Sequence, residues 1–172
     1  MGGEILVVAV GEVEAAVLAH LGAALTEAFG RPCQVRDALP VPGNAFNPQR
    51  RQYSAHAIVQ ELRAEEADRV LGVVDLDLYV PELNFVFGLA DRAGKRAVIA
   101  LPRLRESFYG GHDDEALFLK RTVKEAVHEL GHTCGLAHCR DPRCVMAFSN
   151  SLADTDYKGR SFCSQCERRL KL

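Results

Sequence analysis

The sequence predicts an α/β fold, and three observations carry the prediction. Near the N-terminus an unbroken apolar run passes into a helix-periodic stretch and then a second short apolar run. Further on, Glu115 to Cys134 reads as one long amphipathic helix, and two pairs of cysteines follow it closely. Strand, helix and strand in that order make a crossover unit, which implies a twisted and partly parallel sheet. The cysteine pairs imply a small C-terminal subdomain with too little chain to build a core of its own. A length of 172 residues fits one domain, read as residues 1–135 followed by a C-terminal part, 136–172.

Glu4-Ile5-Leu6-Val7-Val8-Ala9-Val10 is apolar at nearly every position, as a strand buried on both faces must be. Gly11 breaks it. Glu12 to Phe29 then carries Val13, Ala16, Val17, Leu21, Ala24, Leu25 and Phe29 at helical spacing, and Gly30 closes that helix. Cys33 to Arg36 reads as a second short strand, with Cys33 a core residue. Prolines at 40, 42 and 48 make Leu39 to Pro48 a loop. Arg50 to Tyr53 is expected to open a helix reaching about Ala64, with Ala57, Ile58 and Leu62 inward. Arg69 to Val74 is another strand. Asp75 and Asp77 after it supply too few oxygens for a calcium loop, so hydrogen-bonding aspartates are the better reading. Leu83 to Gly88 and Ala97 to Leu101 complete the strands, the second stopped by Pro102. The polar loop from Arg103 to Asp114, with Phe108, Tyr109 and paired glycines, is either a lid or a static connection. It ends at Asp113 or Asp114, either of which suits the N-cap of the long helix.

The chemistry sits at the end of that helix. His128 and His132 are four residues apart, so both imidazoles leave one face about one turn apart and can reach one zinc ion. Gly135 supplies the left-handed residue that ends the helix, and the returning chain can present His138 as a third ligand. Three neutral histidines leave one tetrahedral position for water, whose pKa zinc lowers to about 7. Glu129, directly after the first ligand, is placed to take that proton and return it to a leaving amine. A solvated surface helix explains three histidines, a carboxylate and a terminating glycine in one short span poorly.

Cys139, Cys144, Cys163 and Cys166 form a C-x4-C and a C-x2-C pair, read as a closed structural zinc site. A redox role for Cys163 and Cys166 would require a strand-to-helix context that this stretch lacks. A cytidine-type deaminase is excluded because its carboxylate lies two residues after the histidine, whereas Glu129 is adjacent to His128. The expected cofactors are therefore two zinc ions, one catalytic and one structural.

His128 to His138 resembles the extended zinc motif of the metzincin peptidases. The cysteines behind it, with Asp75 to Leu78, Asn84 to Gly88 and Phe108 to Gly111, resemble the archaemetzincin family in particular. The resemblance implies a zincin-like mixed sheet whose Leu83–Gly88 strand is an antiparallel edge lining the cleft. It makes Asn84, Phe85, Val86 and Phe87, with Tyr109, candidate substrate contacts, and Met146 the methionine of the turn beneath the catalytic zinc. Cys139 directly follows His138 and Cys144 lies two residues before Met146, so the cysteine site ties down both segments that complete the catalytic one. The chain departs from some metzincins at Phe148, where they carry a tyrosine able to donate to an oxyanion. Tyr109 and Tyr157 are the alternative donors.

Composition narrows the partners. A net charge of −2 offers nothing to nucleic acid or an anionic membrane, and no apolar run approaches the ~18 residues of a membrane span. Only Met-Gly-Gly-Glu precedes the first strand, so neither a signal peptide nor a latency-conferring pro-segment is expected, and the location is expected to be cytoplasmic. The reading is a zinc metallopeptidase acting on peptide or protein substrates; the alternative is a silent zinc-bearing module that binds peptides with the same fold.

Overall fold

The structure, a computed structural model, describes residues 3–63 and 67–170. A five-stranded sheet runs in the order β2-β1-β5-β8-β7. Its strands are β1 (Ile5–Val10), β2 (Cys33–Leu39), β5 (Arg69–Val74), β7 (Gly88–Asp91) and β8 (Arg96–Ala100). The first four in sheet order pair in parallel, and β7 joins β8 antiparallel, making the sheet mixed as expected. Every residue of β1 and β5 is buried, because helices cover both faces.

The two faces separate cleanly by the alternation of side chains. Ile5, Val7 and Ala9 of β1 face α1 (Ala15–Phe29) and α3 (Glu115–Thr133), while Leu6, Val8 and Val10 face α2 (Ala55–Glu61). Helix α1 ends on Gly30 in the left-handed conformation, its N–H donating to Thr26 O. Helix α3 starts on Asp114, whose carboxylate accepts from the Leu117 N–H. Val123, Val127, Leu130 and Cys134 form its buried stripe. The chain after α3 adds Cys144, Val145, Met146 and Cys166 to the same core. It then forms two short helices, α4 (Leu152–Tyr157) and α5 (Ser164–Arg169).

Four expectations are corrected. The antiparallel edge strand is Gly88–Asp91 rather than Leu83–Gly88. Upstream of it, Val86 makes only an isolated bridge to Leu78, and Phe87 O accepts from the Ala100 N–H. The register is set downstream instead, by the turn in which Asp91 Oδ1 accepts from the Gly94 N–H and Asp91 pairs with Arg96. The helix expected from Arg50 starts at Ala55, because the Ser54 hydroxyl caps it by accepting from the Ala57 N–H; Ala64, its expected end, lies outside the described residues. The residues before it form β4 (Gln52–Ser54), which pairs with β3 (Phe46–Asn47) and β6 (Leu78–Tyr79) in a small second sheet. The stretch read as a loop thus contains a strand. Strand β2 also runs three residues longer than its expected end at Arg36.

The segment after β8 is pinned. Arg105 binds the Asp75 carboxylate through both terminal nitrogens, at 2.7 and 3.0 Å, and Arg103 binds Asp77 at 2.6 and 2.9 Å. Arg103 also stacks between Phe85 and Phe108, and Tyr109 Oη donates to Arg103 O. These bonds favour the static connection over the lid. They also give both aspartates the hydrogen-bonding role expected of them.

Candidate metal centre and cleft

The last turn of α3 delivers the histidines. Thr133 ends the helix, and the Leu136 N–H donates to Gly131 O while the Gly135 N–H donates to His132 O. This paired closure requires a left-handed residue at position 135, where glycine has φ +89°. The reversed chain brings His138 back beside the helix, its ring centroid 5.3 Å from that of His128 and 4.8 Å from that of His132. One ligand nitrogen from each of the three rings lies within 4.8 Å of the others.

Two backbone carbonyls orient the buried pair. His128 Nδ1 donates to Val145 O and His132 Nδ1 donates to Leu136 O, both at 2.8 Å. Each ring therefore carries its proton on Nδ1 and aims the Nε2 lone pair inward, and the two Nε2 atoms approach to 3.1 Å. Burial holds both rings neutral, pushing His128 down to about 2 and His132 down to about 4. Neutral imidazoles with converging lone pairs fit zinc. Arg92, just past β7, donates from Nη2 to the same Leu136 O at 3.0 Å and so braces the carbonyl that holds His132.

Glu129 is 7% exposed, and among the described residues no protein group hydrogen-bonds its carboxylate. Burial, followed by the repulsion of Glu125, pushes its carboxyl up to about 8. It rests against the edge strand: a Cβ added at Gly88 would lie 2.6 Å from Glu129 Cγ and 2.7 Å from Val98 O. Met146 packs against the helix between His128 and His132, where a Cβ at Gly131 would meet its sulfur at 2.5 Å.

These groups open onto a cleft of about 590 Å³. One wall is Asn84 to Ala90, and the other includes Phe148, Ser149 and Asn150. Asn84, Phe85, Val86 and Phe87 are among the residues that line it. Tyr109 is not among its lining residues, being held to Arg103 O. Tyr157 is also outside, beneath the Arg143 guanidinium.

Sequence reasoning missed the pair below the cleft. Lys158 is only 2% exposed, and its ammonium lies 3.1 Å from Glu125 Oε1 and donates to Ala147 O at 3.4 Å. Glu125 stands one turn before Glu129 on α3. A lone lysine after a short polar helix reads as solvated in sequence, so nothing there announced the pair. Removing one partner of such a buried pair costs about 3–5 kcal/mol, because the other is left uncompensated.

The four cysteines also converge, their sulfurs within 4.8 Å of one another. Cys144 Sγ accepts from the backbone N–H of Met146 and of Cys163, and the Cys139 N–H donates to Met146 O at 2.9 Å. The Cys166 backbone N–H draws the Cys163 thiol down to about 7. N–H donors aimed at sulfur suit thiolates, so this quartet can hold a structural zinc.

The sequence profile of peptidase family M54 matches residues 34–172. The archaemetzincin of Methanocaldococcus jannaschii is 43% identical over 162 residues, covering 94% of this chain and 89% of that one. That of Pyrococcus abyssi is 41% identical and covers 99% of this chain and 96% of its own. The crystal structure of the Archaeoglobus fulgidus archaemetzincin in complex with malonate superposes with a TM-score of 0.87 at 37% identity, spanning 97% of this chain and 99% of that one. Among the described residues no helix is long and apolar enough to cross a membrane. A histidine trio and a cysteine quartet on a fold shared almost end to end with these proteins make the chain a zinc metallopeptidase, and it belongs to the archaemetzincins, peptidase family M54.

Proposed function

We propose that His128, His132 and His138 hold the catalytic zinc, that Glu129 moves the protons of peptide-bond hydrolysis, and that Cys139, Cys144, Cys163 and Cys166 hold a second, structural zinc. When bound at the histidines, zinc supplies a Lewis acid that polarises the scissile carbonyl and acidifies water. The observation that carries the reading is a carboxylate without a protein partner in the same cleft as three converging imidazole nitrogens.

The chain's own residues then divide the work. The Glu129 carboxylate accepts a proton from the attacking water at one oxygen and returns it to the nitrogen of the departing amine. Burial around Glu129 strengthens each of these contacts by excluding bulk water. Strand β7 ends the sheet beside the cleft, so the peptide runs extended along it and borrows its free N–H and C=O groups. Met146 forms an apolar floor between the ligands. The cleft separates residues 1–135 from 136–172, which supports treating them as two subdomains of one domain. The open groove and the intact carboxylate favour this reading over a silent peptide-binding module.

Changing Glu129 to Ala tests the role directly. We expect kcat to fall about 10²–10⁴-fold with the metal content unchanged. An alanine variant as active as the parent removes Glu129 from the proton path.

A further inference from the structure

Besides the three histidines and Glu129, the cleft is lined by polar groups that the reaction does not use. Glu125 is 3% exposed and lines the cleft. Its Oε1 accepts from Thr155 Oγ1 and faces the Lys158 ammonium, each at 3.1 Å, whereas among the described residues Oε2 accepts no hydrogen bond. Ser149 also lines the cleft, and its hydroxyl is buried and has no hydrogen-bond partner. Apolar side chains line the same cleft, among them Val86, Phe87 and Phe148. Buried polar atoms left without partners are rare and costly in folded proteins, so a cleft that keeps the Ser149 hydroxyl unpaired and leaves Glu125 Oε2 without a protein donor is built to be completed by something else.

We propose that Glu125 and Ser149 form a specificity subsite that takes a substrate side chain with an apolar or aromatic body and a neutral hydrogen-bond donor at its tip, as in tyrosine or glutamine. The proposal rests on the reading that the substrate peptide occupies this cleft. Charge selects the donor. Lys158 neutralises Glu125 through Oε1, so an incoming lysine or arginine meets an ammonium already in place. An incoming glutamate or aspartate meets the Glu125 carboxylate. A neutral O–H or N–H instead gains the open Oε2 and displaces no charge. A purely apolar side chain fits the walls but leaves both polar atoms unpaired, the penalty by which hydrogen-bonding sites reject the analogue lacking the donor.

Peptide libraries that differ only in Tyr against Phe, or Gln against Met, test the subsite on the zinc-replete enzyme. We expect kcat/KM to favour the donor-bearing member at one position flanking the cleaved bond by at least ~10-fold. Binding of the same pairs to the Glu129→Ala variant, measured calorimetrically, should show the same order without turnover. In a Glu125→Leu/Lys158→Met double variant, which leaves no charge unpaired, the ratio should fall to about one. Ser149→Ala should lower it partially and serves if the double variant does not fold. Equal use of Tyr and Phe by the parent, a preference for lysine or arginine at that position, or an unchanged ratio in the variants overturns the subsite. Full activity of Glu129→Ala with the Tyr preference intact overturns the proton-path assignment and leaves the subsite standing.

Discussion

Replacing Gly88 by Ala isolates the contact between the edge strand and Glu129. Glycine here is not needed for a left-handed backbone, since its φ is not among the positive ones, so the effect is steric. The added Cβ would meet Val98 O at 2.7 Å, against an ordinary contact that begins near 3.4 Å, so strand and neighbour must part by 3.4 − 2.7 = 0.7 Å. Glu129 Cγ at 2.6 Å must retreat by 3.4 − 2.6 = 0.8 Å. Val98 O belongs to the backbone of β8 and cannot swing aside, so the movement falls on β7 and on Glu129. Overpacking of this kind costs about 1–3 kcal/mol of stability, partly offset by the ~0.4–1 kcal/mol that a Gly→Ala change gains through the unfolded chain. The larger effect is on rate: a catalytic group misplaced by about 1 Å loses on the order of 10²-fold. The assay is kcat/KM on a fluorogenic peptide, read beside zinc content and thermal midpoint. Gly43→Ala is the control, because its Cβ meets nothing within 4 Å. If Gly88→Ala kept the parent's rate and midpoint, Glu129 would not be seated by the strand as described.

Other outcomes follow from the same geometry. Gly131→Ala should push the Met146 sulfur, met at 2.5 Å, and lower stability by about 1–2 kcal/mol, since a methionine can repack more cheaply than a backbone; denaturant midpoints check this. Cys166→Ser should release the structural metal and also weaken retention at the histidines, because Cys139 and Cys144 bond the backbone of Met146. Metal counting decides that, and full retention of the histidine-bound zinc would refute the coupling. Asp91 is held below the usual carboxylate range, first by the Gly94 N–H and then by Arg96. Its contribution is therefore present above an unfolded pKa of about 3.9 and disappears as pH falls through its lower folded value. Asp91→Asn should be less stable than the parent at neutral pH, with the difference closing in acid; a gap that widened in acid would contradict the assignment.

The candidate metal-binding residues were legible because their chemistry fixes their spacing. A helix puts positions 128 and 132 on one face, and only a glycine closes the turn that returns position 138. The edge strand was misread for an equally physical reason. Phe85-Val86-Phe87 looks like a strand because those residues favour one, whereas Gly88 to Asp91 earns its strand only by pairing with β8 across the Asp91–Gly94 turn. The strands of the small sheet are two or three residues long, too short for any periodicity to show. Lys158 and Glu125 lie 33 positions apart, and no local pattern joins them; the packing of α4 on α3 does.

The imidazoles at 128 and 132 are steered by carbonyls of the main chain and not by acidic side chains. A substitution can delete a carboxylate, but every residue type brings the same C=O. The protonation pattern that suits these rings to a metal thus survives sequence drift at Leu136 and Val145 as long as the path of the backbone does. The centre is correspondingly exposed to insertions or deletions between Gly135 and Met146, where shifting the chain by one residue would misdirect both rings at once.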